Sequence, residues 1–148
     1  MTQYDDDDFV YEELTMPGVD KYSFLIKLKN DAINEASGYC LAYEEKSRSN
    51  PNYPDKVVYV ADFGILQNAR SLTTALRAFD ELVKRADENG VRIIEMEARE
   101  STSYKLLNSN LGRRYFAKKG YNLVVHDRVQ YFGDDEKTHL ISLEKQEV

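Results

Sequence analysis

The sequence predicts one α/β domain, a mixed and mostly antiparallel sheet with helices packed on it. Three observations carry that prediction. Segments with strand periodicity fill most of Phe9 to Leu66, with no helical pattern between them. A strongly amphipathic helical pattern follows, from Ser71 to Asn89. After it, strand and helix patterns alternate, and the chain closes on two strands around Gly133-Asp134-Asp135. A mixed sheet satisfies this order. A doubly wound parallel sheet does not, because it needs helices between the early strands.

Phe9 to Leu14 is a short aromatic and apolar stretch suited to an edge strand, broken by Met16-Pro17-Gly18. In Tyr22 to Lys29, Phe24, Ile26 and Leu28 share one face and Lys27 and Lys29 the other, the period of a half-buried strand. Asn30 to Ser37 reads as a turn and Gly38 to Glu44 as the returning strand. Ser47 to Asp55 is a polar loop containing Pro51 and Pro54. Lys56 to Leu66 is apolar on both faces, as a central buried strand should be. In the helix, Leu72, Ala75, Leu76, Phe79, Leu82, Val83 and Ala86 draw one stripe, and Asn89-Gly90 supplies its stop. Val91 to Arg99 reads as a strand. Thr102 to Lys119 reads as a weaker helix, interrupted around Asn108 to Gly112 and ended by Gly120. Tyr121 to Phe132 and Thr138 to Lys145 are the closing strands.

A chain of 148 residues has the size for one hydrophobic core. No apolar run approaches the roughly 20 residues of a membrane-spanning helix, and no membrane partner is expected. Met1 to Asp8 lacks the basic and apolar regions of a secretory signal. Cys40 is the only cysteine, which excludes an internal disulfide and a cysteine-based zinc site. A cytoplasmic protein is the expectation.

The net charge of -6 is unevenly spread. Residues 1–20 carry seven acids and no Lys or Arg, leaving a near-neutral body of 19 acids and 20 bases. Such a body can accept a phosphate-bearing ligand through local Arg and Lys. No basic stripe interleaved with aromatics appears, so nucleic acid is not an expected partner. Asp5 to Asp8 are four mutually repelling carboxylates. Residues 1–8 therefore read as a flexible acidic terminus rather than a cation site, and 9–148 as the domain.

Arg70-Ser71-Leu72-Thr73-Thr74-Ala75 opens the amphipathic helix, Gly38-Tyr39 opens a strand, and Tyr115-Phe116-Ala117-Lys118-Lys119-Gly120-Tyr121 closes the second helix. With the element order, these resemble the GCN5-related N-acetyltransferase (GNAT) superfamily from about Tyr22 to the C-terminus. The resemblance implies an acyl-CoA N-acyltransferase fold whose central strand splays from its neighbour to admit acetyl-coenzyme A. It implies that the 70–75 loop, an Arg/Gln-x-x-Gly-x-Gly/Ala motif in that family, holds the pyrophosphate at a helix N-terminus. Thr73 stands where that motif has its first glycine. Phe116 stands at the position of the tyrosine that protonates the departing thiolate, with Tyr115 beside it. The family's asparagine falls on Ser109, flanked by Asn108 and Asn110. About eight residues separate the first two strands, too few for the helix pair that walls the family's acceptor site. Compact, divergent chains of this style also resemble acetyltransferase-like proteins of tailed phages, which would place the protein in a host cytoplasm or a virion.

Acetyl transfer from a thioester to an amine needs alignment, proton removal and donors for the developing oxyanion. The resemblance implies the backbone N–H of Ile65 as oxyanion donor. Gly64 before it suits ligand approach or, equally, relieves crowding in a twisted strand. Arg70 with Ser71, Thr73 and Thr74 can bind phosphate, or the hydroxyls can simply cap a helix; Ala75 and Asn110 complete the implied cofactor set. Asp62, Glu95 and Glu97 are candidate general bases. Glu95 and Glu97 share one strand face and read otherwise as solvated, whereas Asp62 sits among apolar residues and needs a partner. Tyr115 is the candidate general acid, or a core-facing aromatic. His126 and His139 have no second ligand at metal spacing and read as structural.

Two functions are therefore expected alternatives. One is acetyl-CoA-dependent acetylation of an amine on a small molecule or a protein. The other is a structural or interaction protein that kept the fold without the chemistry, such as a phage assembly or host-modulating factor. A protein partner or a homo-oligomer, for example through the closing hairpin, belongs to the same set of expectations.

Overall fold

Strand periodicity becomes strand pairing in the computed structural model, which describes residues 9–14, 21–28, 36–65, 72–132 and 136–147. The acidic terminus 1–8, Arg70, Ser71 and the Gly133–Asp135 turn lie outside the described residues. In chain order the elements are β1 (Phe9–Glu13), β2 (Phe24–Leu28), β3 (Ala36–Lys46), β4 (Lys56–Ile65), α1 (Leu72–Glu88), β5 (Ile93–Arg99), α2 (Ser103–Leu107), α3 (Asn110–Lys118), β6 (Tyr121–Phe132) and β7 (Glu136–Lys145). The strands form one sheet in the order β1-β2-β3-β4-β5-β7-β6. Among the described strands only β4 and β5 are parallel, and α1 is the crossover that parallel neighbours require. Residues 14–23 join β1 to β2 and 29–35 join β2 to β3. The described residues among them include no helix.

Alternation along each strand divides the sheet into two unlike faces. Phe24, Ile26, Cys40, Val58, Val60, Ile94 and Met96 point to one face. There they meet Leu76, Phe79, Leu82, Val83 and Ala86 of α1 and Leu107 and Phe116 of α2 and α3. Burying each large side chain of this core contributes about 1.5–3 kcal/mol. The opposite face carries Tyr39, Leu41 and Tyr43 of β3, each between 36% and 37% exposed. That face lacks a covering helix among the described residues.

The predicted second helix is two helices. Ser109 Oγ donates to the Leu106 carbonyl at 2.6 Å and accepts from the Gly112 N–H at 3.0 Å, ending α2 and capping α3. A Cβ on Gly112 would overlap the Leu106 carbonyl, so the two helices meet more closely than another residue permits. Gly90 and Gly120, at φ 73° and 88°, end α1 and α3 in the left-handed conformation.

β4 departs from its prediction. Val57 to Val60 are buried on both faces as expected, yet Ala61 and Asp62 are exposed. The pairing explains this: Ala42 faces Val60 and Leu41 faces Asp62, so Ala61 is an extra residue, a β-bulge. The bulge advances the alternation by one step. Asp62 and Gly64 turn to the open face, and Phe63 turns to the helices, where its ring stacks on Phe79 at 4.2 Å.

Beyond the bulge, Gly38 of β3 pairs with Ile65. A Cβ on Gly38 would lie 2.5 Å from the Gly64 carbonyl oxygen and 3.2 Å from the Ile65 Cα, both backbone atoms that cannot swing aside. Gly38→Ala is therefore expected to destabilise the fold by about 1–3 kcal/mol. Urea unfolding checks this as a lower midpoint at unchanged slope. An unaltered midpoint would show that the β3–β4 pairing relaxes freely there.

Candidate functional site

The parallel pairing of β4 with β5 is short. It covers Val58–Ile94, Tyr59–Glu95 and Val60–Met96 and then ends, although β4 continues to Ile65 and β5 to Arg99. Each strand stays anchored to its outer neighbour past that point. Gly64 pairs with Tyr39 of β3, and Glu97 pairs with Leu140 of β7. The two central strands therefore part from each other while the sheet on either side stays intact. The bulge at Ala61 supplies the extra local twist that directs β4 away.

α1 follows β4 and begins at Leu72, so its N-terminus stands at the end of the sheet where the strands part. Its first-turn N–H groups have no helical acceptors and carry the positive end of the helix dipole. Thr74, in that turn, is 4% exposed, and Ala75 packs against the core. Thr73 is also in the first turn, with its side chain outside the described residues. Ile65 closes β4 and is 7% exposed.

Asp62 is at the lip of this opening, on the open face. It is exposed rather than buried among its apolar neighbours, because the bulge has rotated it out. Its Oδ2 accepts from the Tyr39 hydroxyl at 3.0 Å and its Oδ1 from the Phe63 N–H at 2.9 Å. The Tyr39 ring lies over Gly64, where a Cβ would come within 2.8 Å of it. Gly64 is thus required for the approach of a ring, a reason the sequence did not suggest. Burial of the Tyr39 hydroxyl, with the Asp62 hydrogen bond and charge, pushes its pKa up; Arg99 opposes that rise.

Glu97 alternates with Glu95 on β5 and faces the open side, across the opening from Asp62. Glu97 is half-buried, and Glu95 is fully buried. The expectation that both are solvated fails because the β3–β4 loop folds over Glu95. That carboxylate accepts from Ser47 Oγ at 2.7 Å, Ser49 Oγ at 2.5 Å, the Arg48 N–H at 2.8 Å and the Ser49 N–H at 3.3 Å. Arg48 then lies over the Tyr59 ring at 3.7 Å and pairs with Glu45 at 2.6 Å. Desolvation works to raise the Glu95 pKa, but the four hydrogen bonds outweigh it and hold it below the usual carboxylate value.

The remaining candidates lie on or beside α3 and on the closing strands β6 and β7. Tyr115 is half-buried, edge-on to Phe116 at 5.1 Å, with Lys119 Nζ 5.3 Å from its ring centre. Phe116 is 1% exposed, a core residue. Asn110 is the exposed first residue of α3, while Asn108 accepts from Arg113 Nε at 3.0 Å.

His126 Nε2 is 2.8 Å from Ser142 Oγ, which itself donates to Glu144 at 2.6 Å. The serine oxygen thus accepts a hydrogen bond from the imidazole N–H, so the ring does not act as a base on it and it is not primed as a nucleophile. His139 stacks on Tyr104 at 4.0 Å and is 3.3 Å from Glu100. Among the described residues no group of His, Cys, Asp or Glu is arranged for a metal ion. No described helix is long and apolar enough to cross a membrane.

Scans against family models and curated proteins found no match. Solved structures do match. The NatC complex bound to Gag peptide and coenzyme A aligns at TM-score 0.61 and 9% identity, over 84% of this chain and 71% of that one. The diaminobutyrate acetyltransferase of Paenibacillus lautus, in complex with L-2,4-diaminobutyric acid and coenzyme A, aligns at TM-score 0.55 and 19% identity, over 84% and 70%. The ribosomal-protein-S18-alanine N-acetyltransferase of Escherichia coli aligns at TM-score 0.54 and 9% identity, over 85% and 70%. At such identities the likeness is one of fold, and the fold of this chain is that of the GNAT acyltransferases.

The Glu95 cradle has a pH signature. A carboxylate whose folded pKa is depressed stabilises the fold above its unfolded value, about 4.3, and that stability is lost as pH falls through the lower folded value. Glu95→Gln presents an amide to the serine donors and is expected to cost about 3 kcal/mol at pH 7. The gap between wild type and variant should shrink below about pH 4.3, as measured by urea unfolding across pH. A gap that holds constant down to pH 3 (roughly a unit below that value) would mean that Glu95 does not act as an ionised acceptor.

Proposed function

We propose that this protein is an acetyl-CoA-dependent N-acetyltransferase acting on an amine of a small molecule or a protein. The observation that carries the reading is the parting of β4 from β5 beyond Val60 and Met96, set against the N-terminus of α1. An opening bounded by intact sheet on both sides admits an extended thioester arm, and a helix N-terminus suits a pyrophosphate. Two of the structural neighbours hold coenzyme A, which supports the same cosubstrate here.

Bound acetyl-CoA supplies an activated acetyl group. Arg70, the hydroxyls of Ser71 and Thr73, and the first-turn N–H groups of α1 hold the phosphates. Thr74 and Ala75, turned inward, serve through their backbone. The Ile65 N–H faces the charge that develops on the carbonyl oxygen, and Asn110 contacts the coenzyme from α3. An ammonium acceptor must lose a proton before its nitrogen can form the C–N bond. Asp62 or Glu97 takes that proton, directly or through water. The C–S bond then breaks, and Tyr115 returns a proton to the departing sulfur.

Calorimetric titration with acetyl-CoA tests the reading, with Arg70→Ala alongside. Micromolar binding is expected, weakened about tenfold or more in the variant, as loss of a charge-assisted phosphate contact implies. Absence of binding at millimolar ligand would refute the assignment, and equal affinity in the variant would remove the 70–75 loop from the site.

A further inference from the structure

We propose that the outward face of α3 docks residues 4–8 of a second copy of this chain, and that the contact is made reciprocally in a two-fold pair. The inference stands apart from the transferase reading and uses none of the residues assigned to it.

The chain has a net charge of -6, yet from Thr102 to Gly120 it carries Lys105, Arg113, Arg114, Lys118 and Lys119 and no acid. All of these bases are exposed. Lys119 pairs with Asp80 of α1 at 3.3 Å. Arg113 donates only to neutral oxygens, Asn108 Oδ1 and the Leu123 carbonyl. Among the described residues Lys105, Arg113, Arg114 and Lys118 form no ion pair. Nearby acids are engaged elsewhere: Glu81 holds Arg85 at 2.7 Å, Asp87 holds Lys145, and Glu100 is 3.3 Å from His139. Glu88, exposed at the end of α1, forms no ion pair with α2 or α3 among the described residues. Asp127 and Arg128 of β6, whose side chains lie outside the described residues, cancel in charge. The matching partner of this surface is therefore acidic.

Helical spacing draws part of this charge into a line. Leu111, Arg114 and Lys118 share the side of α3 opposite its buried residues, Gly112 and Phe116. Leu111 is 52% exposed, a large apolar side chain left in water. At about 1.5 Å per residue the line is about 10 Å long. Asp5, Asp6, Asp7 and Asp8 in extended form cover about the same length, at about 3.3 Å per residue. Tyr4 before them is an apolar match for Leu111. Charge, length and apolar end thus agree, and the segment is present on every copy.

One molecule cannot bring the two together. Asp8 adjoins Phe9, the first residue of β1 at one edge of the sheet, whereas α3 packs on β6 at the other. Strand spacings of about 4.8 Å put those edges about 29 Å apart. Asp5 reaches at most about 14 Å from Phe9. Two copies set antiparallel satisfy both contacts at once, because the β1 edge of each then lies against the α3 edge of the other.

The test is sedimentation equilibrium of the 148-residue chain at about 20 mM and about 500 mM NaCl. At the lower salt a dimer is expected with a dissociation constant of about 100 μM, in keeping with about eight exposed ion pairs, and tenfold or more weaker at the higher. Replacing Asp5, Asp6, Asp7 and Asp8 together by Asn should weaken dimerisation about tenfold or more. So should Arg114→Glu combined with Lys118→Glu, and both variants should keep the wild-type urea midpoint. Mixing the two variants keeps one intact segment opposite one intact face. The mixture should associate more tightly than either variant alone. A chain that stays monomeric at about 1 mM, roughly ten times the expected constant, overturns the proposal. So does dimerisation that neither variant weakens, or a mixture no tighter than its parts. Loss of the dimer in the Glu variant alone would mean that something other than residues 4–8 occupies α3, and overturns it as well.

Discussion

One extra residue in the central strand governs the functional end of this molecule. Were Ala61 paired as an ordinary strand residue instead of bulged, the alternation of Val58 and Val60 would carry Asp62 into the helix-packed core, where an unpaired carboxylate costs several kcal/mol. With the bulge, Asp62 faces out and Phe63 faces in, against Phe79. The pairing of β4 with β5 stops beside the same residue. Side-chain orientation and strand separation are thus two results of a single local insertion.

The sheet can tolerate that separation because its outer pairings compensate. β4 keeps its ladder to β3 as far as Ile65 and β5 its ladder to β7 as far as Arg99, so the hydrogen bonds missing between β4 and β5 are confined to one side of each strand. Two glycines make the β3–β4 ladder close enough to hold. Gly38 admits the Gly64 carbonyl toward the helix face, and Gly64 admits the Tyr39 ring on the open face. Away from the opening, Glu95 fixes the β3–β4 loop with four hydrogen bonds and so braces the far end of the open face. A buried carboxylate there is stabilising only because every donor is supplied.

Much of this fold was legible in the sequence, and the reasons are local. Phe24, Ile26 and Lys27 keep strict strand alternation, and the α1 stripe keeps strict helical spacing, so both elements fall where periodicity puts them. The split of α2 from α3 shows as the weakness around Asn108–Gly112, though not as the Ser109 cap that causes it. What periodicity cannot show is a change of phase. Asp62 is in step with Val58 and Val60 in sequence and out of step in space. Glu95 and Glu97 have the same spacing and nearly the same neighbours, yet only one meets the serines of a loop some 46 residues earlier. The pairing of Tyr39 with Asp62, and of His139 with Tyr104 and Glu100, likewise arises across strands and has no signature within any one segment.

The two-faced sheet also bears on how two substrates could share one opening. The helix face is filled by a close-packed core, so a ligand reaches the opening from that side only at its end, where α1 begins. The open face offers a broad approach past exposed aromatic side chains. Access routes on opposite faces do not compete for space, and binding on one side need not await the other. Coupling between them would have to pass through β4 itself, where Asp62 and Ile65 are three residues apart on opposite faces. A rigid, glycine-tightened ladder between β3 and β4 is well suited to keep those two residues at a fixed separation, and fixed separation is what attack of an amine on a thioester demands.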